Sequence, residues 1–411
     1  MIQRVVVTGM GGVTAFGESW SQVSARIRAG RNAVRFMPEW QIYQGLHTLL
    51  GAPVDDFVLP AHYTRKRIRA MGRVSLLATR ATELALTQAG LIDHPVLTSG
   101  DTGIAYGSST GSTGPVSEFA TMLTEKHTNN ITGTTYVQMM PHTTAVNAGL
   151  FFGLRGRVIP TSSACTSGSQ AIGYAWEAIR HGYQTVMVAG GAEELCPSEA
   201  AVFDTLFATS QRNDAPHTTP APFDQQRDGL VIGEGAGTLI LESLEHAQAR
   251  GATIYAELTG FHTNCDAAHI TQPQRETMQV CIERALQSAG IEPAQIGYIN
   301  AHGTATERGD MAESLATAAV FGATTPISSL KSYFGHTLGA CGALEAWMSI
   351  EMMREGWFAP TLNLSQPADS CGALDYIMAE PRQIETDYIQ SNNFAFGGIN
   401  TSLIFKRWRG V

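Results

Sequence analysis

Short apolar runs alternate along the chain with longer stretches in which apolar residues return every three or four positions. Such alternation predicts an α/β fold whose sheet is covered by helices. The runs predict strands over Arg4–Thr8, Gly103–Tyr106, Arg157–Pro160, Thr185–Ala189, Gly237–Glu242, Thr253–Gly260, Gly297–Asn300, Ile327–Ser329 and Thr401–Phe405. The helical period predicts helices over Ser19–Ala29, Met71–Ala89, Ser167–His181, Gln274–Ala289, Asp310–Val320 and Gly339–Glu355.

Laid in order, these elements show a repeat. RVIPTSSACTSGSQAIGYAWEAIRHG and PISSLKSYFGHTLGACGALEAWMSIEMMREG each read as strand, small or polar corner, long helix. DGLVIGEGAGTLILESL and NNFAFGGINTSLIFKRW each give a Gly-rich entry to a late apolar run. Two copies of one unit, 1–252 and 253–411, are expected to face each other across a pseudo-twofold. With no low-complexity linker between them, they are expected to share one interface. The composition suits a large packed interior: 44% hydrophobic, 15% charged, with 42 glycines for tight turns and close approaches. A net charge of −9 argues against a general nucleic-acid binder. Six scattered cysteines form no C-x-x-C pair, and no apolar run is long enough to span a bilayer. A soluble, reduced, cytoplasmic protein is expected.

One thiol sits at the first copy's corner. Cys165 lies where Val158 and Ile159 lead into the start of a helix. Unpaired N–H groups and the macrodipole there favour an anion. A thiol with an ordinary pKa near ~8.5 is therefore expected to be lowered and to gain nucleophilicity. Ala164, Thr166, Ser167 and Gly168 are small enough to admit an acyl group. By itself a structural cysteine fits the same letters, and Cys196, Cys281 and Cys341 are read that way. A nucleophilic thiol needs a base or charge partner. YINAHGTATERGD offers His302 after a strand, and SSLKSYFGHTLGACGALE offers Lys331 and His336 in the second copy's corner, with Glu345 on the following helix.

These segments resemble, in order and spacing, the β-ketoacyl-acyl-carrier-protein synthases of the elongating, Cys-His-His type. The resemblance runs from VVVTGMGGVTAFG through ACTSG, RNDAPHTTPAPFDQQRDGLVIGEGAG and NAHGTATERGD to LKSYFGHTLGACGALE and NNFAFGGINTSL. It implies a thiolase-like duplicated fold, five-layer α-β-α-β-α. It also implies a decarboxylative condensation of an acyl group on Cys165 with malonyl-acyl carrier protein. His302 and His336 would donate to the malonyl thioester carbonyl, and the backbone N–H groups of Cys165 and Phe396 would hold the tetrahedral oxyanion. Lys331 would organise the site with Glu345 as its partner, and Phe396 would gate it, with Gly397 and Gly398 freeing its loop. Thr304 and Thr306 match positions that hold the phosphopantetheine arm. Phe394 is placed with them at the substrate, and Thr110, at the end of the acyl pocket, is read as leaving room for a longer or more polar chain. No metal and no cofactor are required, since phosphopantetheine arrives on the carrier.

The partner implied is an acidic acyl carrier protein, so an acidic enzyme must offer a local basic patch. Arg65, Lys66 and Arg69, with Arg67 and Arg73 in the same stretch, supply one, and Arg212 matches a family contact. A homodimer is the default expectation. A heterodimer with a chain-length factor is the alternative, with this chain as its catalytic member because Cys165 is intact. Two other classes compete weakly. Gly107-x-Ser109-x-Gly111 fits a serine-hydrolase elbow. GMGGVTAFG hints at a dinucleotide loop, but Thr14 breaks the pattern and its glycines are read as tight turns.

Overall fold

The computed structural model describes residues 2–410. Every predicted strand and helix forms, with bounds shifted by a few residues. The main strands are β1 Val5–Thr14, β2 Thr102–Gly107, β3 Val158–Thr161, β4 Val186–Glu193, β5 Gly235–Ser243, β6 Ala256–Cys265, β7 Ile296–Asn300, β8 Pro326–Ser328, β9 Asp375–Tyr376, β10 Tyr388–Phe394 and β11 Ile399–Arg407. They form an eleven-stranded sheet in the order β9-β8-β7-β10-β11-β6-β1-β5-β4-β2-β3. Outward from the seam, the first copy runs β1-β5-β4-β2-β3 and the second runs β6-β11-β10-β7-β8, the same order once the short edge strand β9, an addition of the second copy, is set aside. At the seam β1 and β6 pair antiparallel, Val5 opposite Leu258 and Val7 opposite Ala256.

Five helices position the site: α1 Arg73–Gln88, α2 Ser167–Arg180, α3 Arg275–Ala289, α4 Glu307–Phe321 and α5 Cys341–Glu355. Alternate strand residues face opposite ways. Ala105, Met187 and Ala189 point into a central core shared by α2 and α5, whereas Ile104, Tyr106, Val186 and Val188 meet α1 on the far side. In the second copy Tyr298 joins the central core, and Ile296 and Ile299 join α3 and α4 outside. The layers are therefore helix, sheet, helix, sheet, helix.

The glycines of GMGG are not turn residues. β1 runs straight through them, and they are there for close approach. A Cβ on Gly9 would lie 2.3 Å from the Ala85 carbonyl oxygen on α1, and one on Gly12 would lie 2.4 Å from the Trp347 ring on α5. The central helices meet in the same way. A Cβ on Gly168 would come 2.9 Å from the Gly339 oxygen, and one on Gly342 would come 2.8 Å from Ser169. Glycine in a helix interior costs about 1 kcal/mol relative to alanine; here it lets two backbones touch.

Candidate active site

Both corners are built alike. After β3, Ala164 takes φ +51° and opens a short 3-10 turn, Ala164–Thr166, that leads into α2. In the second copy Leu338 takes φ +43° and opens the turn Leu338–Ala340, which leads into α5. The residue matching Cys165 is thus Gly339, and Lys331 and His336 stand just upstream of it. The two turns touch: the Cys341 thiol donates to the Cys165 carbonyl at 3.2 Å.

Three functional groups converge there. Nε2 of His336 lies 3.0 Å from Cys165 Sγ. The His302 ring stands edge-on to His336, with centroids 5.2 Å apart at 85°. The sulfur and one nitrogen of each ring lie within 4.8 Å of one another, all three residues buried, a donor set that could also hold a soft divalent cation. The backbone N–H of Leu338 donates to His336 Nδ1 at 3.2 Å. In the neutral ring this leaves the proton on Nε2, facing the sulfur.

Lys331 and Glu345 form a buried pair, Nζ to Oε1 2.5 Å, and Asn393 donates to the other carboxylate oxygen at 2.8 Å. The lysine's charge reaches Cys165, His302 and His336. Burial nevertheless dominates at the sulfur. It pushes the Cys165 thiol up to about 11, against the opposing pull of Lys331 and of the Phe396 and Cys165 N–H groups. This corrects the expectation of a lowered pKa, because a fully enclosed thiolate loses more hydration than one cation and two N–H groups return. Burial, followed by the charge on Lys331, holds both imidazoles well below the ordinary histidine value. At neutral pH the resting site therefore holds a thiol and two neutral rings.

Two carboxyls that sequence reasoning missed hold the His302 loop. Glu313 accepts from the N–H groups of His302 and Gly303, both at 2.7 Å, and Asp310 accepts from Thr304 at 2.9 Å. They lie one helical turn apart on α4, and that i, i+3 spacing was the available signal. Burial pushes Glu313 up to about 8.

A cavity of about 510 Å³ opens onto the sulfur, and Cys165, His302, His336, Thr304, Thr306, Phe394 and Phe396 all line it. Phe396 packs against Phe203 with centroids 5.1 Å apart. Other predicted residues fall elsewhere. Thr110 is exposed and does not line this cavity; its N–H donates to Glu193 at 3.3 Å. Arg65, Lys66 and Arg69 are exposed on or beside the short helix Arg65–Ile68. Arg73 instead pairs with buried Glu234, and Arg212 is drawn inward to Asp228 and to the carbonyls of Thr218 and Gln226. The Ser109 hydroxyl bonds to Glu193 and Thr110, with no imidazole partner among the described residues, so the hydrolase elbow lacks its base.

A doubled α/β unit with a buried thiol and two imidazoles where its copies meet defines an acyltransferase of the thiolase-like class. Residues 3–247 match the family model "Beta-ketoacyl synthase, N-terminal domain", and residues 255–365 match "Beta-ketoacyl synthase, C-terminal domain". The chain belongs to the β-ketoacyl synthase family. It is 35% identical to a 3-oxoacyl-[acyl-carrier-protein] synthase 2 of Synechocystis sp., covering 99% of both chains. It superposes with TM-score 0.98 and 60% identity on a β-ketoacyl synthase from Burkholderia phymatum STM815, covering 99% of this chain and 100% of that one. A type II PKS acyl-carrier protein in complex with its ketosynthase bound to the hexaketide aligns at TM-score 0.88 and 31% identity, again covering 99% and 100%.

Proposed function

We propose that this chain catalyses the decarboxylative Claisen condensation of an acyl-enzyme with malonyl-acyl carrier protein, giving 3-oxoacyl-carrier and CO2 in fatty-acid or type II polyketide elongation. The observation that carries the reading is the 3.0 Å approach of His336 Nε2 to Cys165 Sγ, beside a second neutral imidazole. In the first half-reaction the Cys165 sulfur attacks the acyl-carrier thioester, and its proton leaves on the carrier's thiol. In the second, loss of CO2 from the malonyl group makes an enolate. Its oxygen needs donors, and a ring protonated on Nε2 at neutral pH is one. The enolate carbon attacks the acyl-Cys165 carbonyl, the N–H groups of Cys165 and Phe396 hold the oxyanion, and the sulfur leaves and regains a proton. One such donor is typically worth about 10²–10³ in rate.

Thr304, Thr306 and Phe394 are read as contacts of the carrier-borne arm, and Phe396 as the gate. The exposed Arg65, Lys66 and Arg69 are read as the docking face for the acidic carrier, and Arg212 as a further carrier contact. Residues 1–252 and 253–411 are taken as the two halves. Phosphopantetheine enters as part of the substrate, and a homodimer or a pairing with a chain-length factor completes the assembly. No helix among the described residues is long and apolar enough to cross a membrane. Intact mass spectrometry after incubation with acyl-carriers tests the reading. An adduct is expected on the native chain and none on Cys165→Ala, which keeps both imidazoles and should still decarboxylate malonyl-carrier. Loss of decarboxylation in that variant would overturn the roles given to His302 and His336.

A further inference from the structure

Between residues 193 and 199 three carboxyls turn inward, Glu193 at 0% exposure and Glu194 and Glu199 at 6% each. Two of them are satisfied. Glu193 accepts from Ser108 Oγ at 2.8 Å, Ser109 N at 2.7 Å and Gly339 N at 3.0 Å. Glu194 accepts from the Thr113 N–H at 2.7 Å and its hydroxyl at 2.5 Å. Glu199 is different: neither carboxyl oxygen has a partner among the described residues. Burial, reinforced by Glu193, holds its pKa well above the ordinary carboxyl value. Burial thus favours the protonated form, which can donate one hydrogen bond and accept others. A buried polar group left unsatisfied in a folded protein calls for an explanation, and an absent ligand is one.

Its position says which ligand. Glu199 lies on the helix Pro197–Asp204, one turn before Phe203 on the same face, about 6 Å along the axis. Phe203 and Ala200 belong to the apolar cluster that contains Cys165, Leu338 and, at its edge, Leu195 and Phe396. Phe203 is also the ring against which the Phe396 gate rests. Glu199 does not itself line the cavity at the sulfur, whereas Phe203, one turn along the same helix, does. An acyl chain on Cys165 that displaced this aromatic pair and ran back along the helix would cross an apolar wall and reach the carboxyl behind it. A purely hydrocarbon tail would leave that carboxyl without partners, whereas a hydroxyl can both give and take a hydrogen bond there.

Resting on the acyl-enzyme reading above, we propose that Glu199 sets specificity by receiving a hydroxyl on the far part of the acyl chain, so that the preferred primer is a hydroxylated rather than a purely hydrocarbon acyl group. The test is competition for Cys165 among octanoyl, ω-hydroxyoctanoyl and ω-aminooctanoyl carriers, and the decanoyl counterparts, read by intact mass on the full chain. The native chain should take the hydroxylated primer ten- to a hundredfold faster than the plain one at one chain length. Glu199→Gln should keep part of that preference, and Glu199→Leu should reverse it. Because the carboxyl has no partner, Glu199→Leu should also melt at or above the native temperature, a readout that a structural role would move downward. Adducts formed with equal or greater preference for the plain or amino chain would overturn the proposal and leave the acyl-enzyme reading standing, as would a lower melting temperature for Glu199→Leu. No adduct from any carrier would overturn both.

Discussion

Replacing Lys331 by Met separates the two things its charge does. Lys331 and Glu345 are 2% and 4% exposed, with Nζ and Oε1 2.5 Å apart. Removing one member of a buried pair strands the other, at a cost of about 3–5 kcal/mol. In a chain this long 1 kcal/mol moves Tm by only about 1 °C, so the melting point should fall by roughly 3–6 °C. The bond from Asn393 to the stranded carboxylate favours the lower end of that range. Lys331→Met/Glu345→Gln removes the stranded charge and should recover most of the loss. Reactivity should not return with stability. Among the groups around the sulfur, Lys331 pulls the thiol pKa down most strongly, so without it Cys165 moves above about 11. Alkylation of Cys165 by iodoacetamide, followed by intact mass across pH, should therefore be slower in both variants than in the native chain, with its rise displaced to higher pH. A double variant as unstable as the single one, or an alkylation profile that does not move, would refute the reasoning.

Two further outcomes are expected. His302 and His336 are held well below the unfolded value near ~6.5, so the stability they contribute is present above that pH and is lost as pH falls, when the unfolded chain binds protons that the folded chain refuses. Denaturant melts between about pH 7 and 5 should fall less steeply for His302→Asn/His336→Asn than for the native chain, and equal slopes would count against buried neutral rings. Gly339→Ala should destabilise by about 1–3 kcal/mol, because its Cβ would stand 2.8 Å from Glu193 Oε2 and 2.9 Å from the Ser109 nitrogen. Gly114→Ala, with open space at its Cβ, is the control and should melt no lower than the native chain.

Periodicity alone determined much of this protein. The strands and long helices were written in two-residue and 3.6-residue patterns, and the duplication in the order of corners and helices. The thiol and its two histidines could be picked out because Cys165 and His302 each follow an apolar strand into small residues, and His336 lies in the second copy's matching corner. The strand Tyr388–Phe394 escaped because its buried positions carry Gln390, Ser391, Asn392 and Asn393, polar residues that interrupt the apolar run. Other features existed only once the copies met. The sign of the Cys165 pKa shift depends on how completely the second copy encloses the sulfur, a quantity no local window contains. The proton on His336 Nε2 follows from a single N–H, that of Leu338, held by a left-handed backbone turn. Glu199 reads as one more helical glutamate until the fold removes every partner from it. Local sequence fixes the shape of each segment; desolvation and hydrogen-bond satisfaction belong to the assembled interior, and they set the chemistry here.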